Sequence, residues 1–100
     1  MSPPPRTKIE VRKLESALDT RGLWAPLRKI ALAYNVTLED VLSRSRRVRI
    51  LRARDACIAH MFAHCMMSSS EIGALMGMDH TSVLYARDRY HDRDNGKLLK

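Results

Sequence analysis

The chain lacks any run of apolar residues long enough to cross a bilayer, and its first residues have no basic, apolar and small-residue segments in leader order. A membrane span and a secretory signal are therefore not expected. Glycine is scarce, four in 100 residues, and no G-x-x-x-x-G-K-[ST] stretch occurs. These residues hold no nucleotide-binding loop and no ATPase built on one. Apolar-polar alternation bounded by turn residues is also missing, which argues against a sheet. Cysteine is limited to Cys57 and Cys65. On one helix their separation is roughly 12 Å, whereas a disulfide needs Cα atoms within about 7 Å. Reduced thiols and an intracellular, cytoplasmic protein are expected.

Acid is missing from one place in particular. Residues 43–54 carry six arginines (Arg44, Arg46, Arg47, Arg49, Arg52 and Arg54) and no carboxylate. Residues 1–42 hold seven basic and five acidic side chains, and residues 55–100 hold five and six. Nearly all of the net charge of +7 thus sits in one segment. Clustered arginine favours a polyanion, because binding releases counterions from phosphates. A chain of this length forms one small domain and is too short for a cleft between two.

What is present reads as helix throughout. Residues 1–6, with three prolines in a row, form an extended and flexible lead-in. Thr7, three before Glu10, starts a helix as in a capping box, with Val11, Leu14 and Leu18 on one stripe and Gly22 as the stop. Trp24 and Pro26 open a second helix with Leu27, Ile30, Ala31 and Tyr34 inward, closed by Asn35. Thr37, three before Asp40, starts a short third helix that turns Leu38, Val41 and Leu42 inward. The arginine segment is expected to be loop-like, and the next helix to run over residues 55–66 with Ile58, Met61, Phe62 and Cys65 on one face. Ser68 and Glu71 repeat the capping box for a helix with Ile72, Leu75 and Met76 inward, and Gly77 turns the chain. Asp79 caps a last helix whose Val83, Ala86, Arg87 and Tyr90 share a side, and Asn95-Gly96 ends the regular part. The expected organisation is therefore a lead-in (1–6), an extra N-terminal helix (7–22), a main helical domain (26–92) and a frayed tail (93–100).

Helix, tight turn and helix, with an apolar stripe on each, is the helix-turn-helix arrangement, whose second helix enters the major groove. That accounts for a polar first turn. Asp79 caps the helix and can also accept from a cytosine amino group. His80 can donate or accept, Thr81 offers a hydroxyl and a methyl, and Ser82 can reach a phosphate. Thr81, Tyr85 and Asp88 lie opposite the Val83–Tyr90 side, so Thr81 and Tyr85 can face DNA. Ser70, in the first turn of the preceding helix, joins them as a DNA-contact residue.

Glu71-Ile72-Gly73, a short spacer and Asp79-His80-Thr81-Ser82-Val83-Leu84 resemble the signature of the C-terminal helix-turn-helix domain (domain IV) of DnaA, the bacterial chromosomal replication initiator. The likeness runs upstream through YNVTLEDVLSRSR (residues 34–46) and RARDACIAHMF (residues 52–62), and covers residues 26–90. It implies a small all-α bundle, Trp-repressor-like, with a helix-turn-helix and a basic loop, binding double-stranded DNA at initiator-type boxes. It further implies that Arg46 enters the minor groove, that Arg54 and Asp55 stand where an Arg-Gln pair meets phosphate, and that Asp79, His80 and Thr81 read bases. Four departures are expected to weaken or re-aim DNA contact: a turn one residue shorter and without its basic side chain, Asp55 for glutamine, Asp88 for a basic residue, and Tyr85 for histidine.

The resemblance implies no catalytic residue, metal or cofactor. Cys57, His60, His64 and Cys65 share one helix but have no second half-site, and structural zinc draws on two elements. The pattern instead suggests a core Cys65, a half-buried Cys57 and two exposed histidines. His80 and Ser82, two apart on one helix, do not face each other as base and nucleophile. Met61, Met66, Met67, Met76 and Met78 read as core filling. The competing function is a protein adaptor that binds the replication initiator or another replication protein, with the Leu14–Leu18 helix as docking face or homodimer seam. Met1, the extra helix and the short tail point to a small stand-alone protein that regulates replication or transcription at the nucleoid.

Overall fold

The computed structural model describes residues 6–94. It contains six helices: α1 (Lys8–Thr20), α2 (Trp24–Ala33), α3 (Leu38–Leu42), α4 (Val48–His64), α5 (Ser69–Met76) and α6 (His80–Asp94). No strand occurs among the described residues. The chain divides into two compact units at Arg54 and Asp55, within α4. The lead-in at residues 1–5, the Asn95-Gly96 stop and the tail beyond it lie outside the described residues.

In the first unit both expected capping boxes form. Thr7 Oγ1 accepts the Glu10 N–H while Glu10 Oε1 accepts the Thr7 N–H, and Thr37 and Asp40 repeat the exchange. Gly22 and Asn35 take positive φ, 71° and 60°, where each helix must reverse. Leu18, Leu27, Ala31 and Leu42 are fully buried, with Val41 and Leu38 nearly so. Each such leucine contributes roughly 2 kcal/mol of transfer free energy. Helix α1 packs on α2 and α3, and Arg6 Nη1 donates to the Leu42 carbonyl at 2.6 Å. Of the expected α1 stripe, Val11 and Leu18 are buried in this unit and Leu14 is half-buried.

The arginine segment departs from its expected form. Only residues 43–47 are non-helical, and α4 begins at Val48, seven residues before the expected start at Asp55. The physical reason is legible afterwards: residues 48–54 hold no Gly or Pro, and Ile50, Ala53 and Cys57 recur at helical spacing and are buried. Arginine is a good helix former, and its charge is screened by water on the outer face. Arg49 and Arg52 are therefore helical residues on the outer face, and Arg54 is a helical residue turned inward.

In the second unit Ile58, Met61, Ile72, Val83 and Ala86 are fully buried and Met76 nearly so. Helix α4 stops at His64, and Met66 follows at φ 52° and 90% exposed, so it does not fill the core. Met61, Met67 and Met76 do. The cysteines exchange their expected roles: Cys57 is fully buried and Cys65 half-buried, and neither forms a disulfide. Helix α6 continues through Asp94, so Arg93, expected at the start of the tail, is helical.

Candidate nucleic-acid interface

The turn between α5 and α6 depends on two glycines. Ser68 and Glu71 form the capping box that starts α5. Gly77 ends it at φ 68°, in the left-handed region. Met78 N–H then donates back to the Gly73 carbonyl at 2.9 Å. A Cβ on Gly73 would stand 2.5 Å from the Met78 carbonyl oxygen, so only glycine lets the turn fold onto the helix this closely. Helices α5 and α6 pack extensively on each other.

The first turn of α6 is organised by Asp79. Its Oδ1 accepts the Ser82 N–H at 2.9 Å and its Oδ2 accepts the Ser82 hydroxyl at 3.2 Å. The Ser82 backbone bond holds the Asp79 carboxyl below the ordinary carboxylate range. With Asp79 and Ser82 engaged with each other, exposed His80 and Thr81 present their side chains at the positive end of the helix. Tyr85 is 62% exposed one turn on, and Ser70 is exposed on α5. Asp88 is exposed and lies 3.5 Å from Arg87, whose guanidinium covers the Phe62 ring at 5.0 Å.

Asp55 does not point to solvent. It is fully buried, and Arg89 grips both of its oxygens: Nε donates to Oδ2 at 3.1 Å and Nη2 to Oδ1 at 3.0 Å. Arg93 Nη2 adds a third bond to Oδ2 at 3.1 Å. The expected acid beside phosphate is instead an internal anion neutralised by two cations of α6. Nothing in the local spacing reveals this, because Asp55 and Arg89 are 34 residues apart.

The first unit carries the arginine segment. Arg44, Arg46 and Arg47 are exposed on residues 43–47, and Arg49 and Arg52 are exposed on α4 beside Val48, itself 64% exposed. Tyr34, Val48, Arg49 and Arg52 line a shallow depression. Arg54 differs. It is buried, with Nε donating to the Val41 carbonyl at 2.9 Å and Nη2 to the Ser43 and Ser45 carbonyls at 2.7 and 3.0 Å. These bonds make it the residue that fixes the backbone path of residues 43–45, rather than an outward contact.

The His60 and His64 rings lie 4.9 Å apart, tilted by 35°, and burial, then the neighbouring His64, pushes the His60 pKa down. Among the described residues no group of three or more His, Cys, Asp or Glu side chains converges.

Residues 27–89 match the family described as the bacterial DnaA protein helix-turn-helix. The chain belongs to that family. It is also 37% identical over 87 residues to the chromosomal replication initiator protein DnaA of Gloeobacter violaceus, an alignment covering 86% of this chain and 17% of the relative. The chain thus spans about a sixth of that relative's length. No solved structure matches it. The DnaA helix-turn-helix is a non-catalytic double-stranded DNA-binding domain. Helix α1 lies outside the residues matched to the family. No helix among the described residues is long and apolar enough to cross a membrane.

Proposed function

We propose that this DnaA-type domain reads initiator-type boxes in double-stranded DNA. Helix α6 enters the major groove, with His80 and Thr81 on base edges. The exposed arginines Arg44, Arg46, Arg47, Arg49 and Arg52 take the backbone and minor groove, led by Arg46. The chain acts in the cytoplasm, at the nucleoid, as an accessory regulator of replication initiation or transcription, without an ATPase of its own in these residues. The observation that carries this reading is the first turn of α6, where the Asp79–Ser82 cap leaves His80 and Thr81 exposed just beyond the Gly77 turn. The burial of Asp55 supports it as well, since the acid nearest the arginine segment in sequence is already neutralised.

Fluorescence anisotropy at about 150 mM salt, on one duplex carrying an initiator-type box and one with the box scrambled, tests the reading. A preference of about tenfold or more is the threshold for specific reading; dedicated sites typically exceed non-specific DNA by roughly 10³–10⁷. His80→Ala or Thr81→Ala should each cost about 1–3 kcal/mol on the box and relax its specificity. Equal binding to both duplexes would leave a non-specific binder. Binding to neither, with capture of a replication protein instead, would replace the reader by an adaptor.

A further inference from the structure

The geometry points to Arg89 as an additional phosphate-binding residue of the DNA-reading helix, held ready by the buried carboxylate of Asp55. This rests on the helix-turn-helix reading above. Thr81, Tyr85 and Arg89 recur every four residues on α6, and all three are exposed. Eight residues of helix rise about 12 Å, and the major groove is about 12 Å wide. A helix that sets Thr81 against base edges therefore carries Arg89 to the sugar-phosphate backbone at the edge of the groove.

Its side chain suits that position. The side chain as a whole is 44% exposed, although Nε and Nη2 are fixed by the two oxygens of a carboxylate that is itself fully buried. The fork thus has a set orientation, with the Nη1 side outside the pair. A preorganised guanidinium loses less rotamer freedom on meeting an anion than a swinging one. Arg93, 22% exposed, supplies a second positive charge to Asp55, so the cluster of two arginines and one aspartate keeps a net charge of +1. Asp88, the acid beside Arg89 on the same face, is drawn toward Arg87 at 3.5 Å. Asp55 is then a positioning residue: it acts on DNA through Arg89 and never touches it.

The test compares the full chain with Arg89→Gln, Arg89→Lys, Asp55→Asn and Arg93→Gln. Anisotropy is measured on box and scrambled duplexes across a salt series, after circular dichroism has set a temperature at which each variant is folded. Loss of one phosphate contact should reduce the log–log salt slope by about 0.9. Between 50 and 200 mM salt the affinity of Arg89→Gln should then fall about 3.5-fold less than that of the wild type. The loss at low salt should be equal on both duplexes, because phosphate carries no sequence information. Arg89→Lys keeps the charge and should keep the slope, while binding more weakly for want of the fork. Asp55→Asn should keep the slope and weaken binding. Arg93→Gln leaves the two bonds between Arg89 and Asp55 intact and should keep the slope, with a loss of affinity from the removed charge that is equal on both duplexes and smaller than that of Arg89→Gln, which separates the contact from general packing of α6. A slope unchanged in Arg89→Gln, with wild-type binding intact, overturns this assignment and leaves the DNA-reading function standing. Tighter binding by Asp55→Asn would mean that the carboxylate repels phosphate, and overturns it equally. A wild-type chain that binds neither duplex overturns the function and the assignment together.

Discussion

The two units hold their arginines in opposite ways. In the first, Arg44, Arg46, Arg47, Arg49 and Arg52 stand exposed in a segment with no acid, and only Arg54 is turned inward. In the second, Arg87, Arg89 and Arg93 are each engaged with a carboxylate of their own unit. An exposed cluster gives long-range attraction to phosphate that is blind to sequence and screened by salt. A side chain fixed by a carboxylate or a cap acts at one distance and in one direction. The first arrangement suits affinity and the second suits register. Adjacent residues mark the change: Arg54 closes the first unit by donating to three carbonyls, and Asp55 opens the second by accepting from two arginines.

The strongest way to break the contrast is Gly73→Ala. The new methyl must displace the Met78 carbonyl, so a loss of about 3 kcal/mol in urea unfolding is expected, with box preference lost before general DNA affinity. A fully stable Gly73→Ala protein would mean that the turn is looser than its geometry implies. Next comes Arg54→Ala. It leaves the Val41, Ser43 and Ser45 carbonyls without their donor and should cost about 2 kcal/mol of stability. Its effect on DNA should follow from a displaced loop, so NMR shifts at residues 43–47 would accompany it. A pure loss of salt slope with unchanged stability would return Arg54 to the list of phosphate contacts.

A smaller effect belongs to the cap of α6. The Asp79 pKa is lowered in the fold, so its contribution is present above the ordinary aspartate value of 3.8 and is lost as pH falls through the lower native one. Asp79→Ala should abolish that part of the acid titration and reduce protection of the Ser82 amide in hydrogen exchange. It should blunt box preference more than general affinity, which sharpens the distinction between register and attraction. The smallest structural effect is expected from Arg47→Ala or Arg49→Ala. Stability should stay within about 0.5 kcal/mol, while both duplexes lose affinity equally and the salt slope falls by about 0.9. Selective loss on the box alone would show one of these arginines reading sequence.

Much of this molecule is legible in its amino acids. Three capping boxes, at Thr7, Thr37 and Ser68, form as their spacing predicts, since each depends on residues three apart in one turn. The left-handed stops at Gly22, Asn35 and Gly77 follow from the same local chemistry. The DHTSVL stretch and the arginine segment, local in sequence, were enough to suggest the family. What misled was composition: six arginines in residues 43–54 read as a loop, although the apolar spacing of Ile50, Ala53 and Cys57 continues the helix beneath them. Burial of individual residues was also poorly legible, as the exchanged roles of Cys57 and Cys65 and the exposed Met66 show.

By itself, then, the sequence determined the helices, their caps, the turn before Asp79 and the place where positive charge collects. Only the tertiary structure decided which charges face outward. An inverted Arg54, a buried Asp55 and an anchored Arg89 require partners 11 and 34 residues away. Periodicity registers neighbours within a turn or two of helix. A buried charge is tolerated only where folding brings a counter-charge or hydrogen-bond partner to it from farther along the chain.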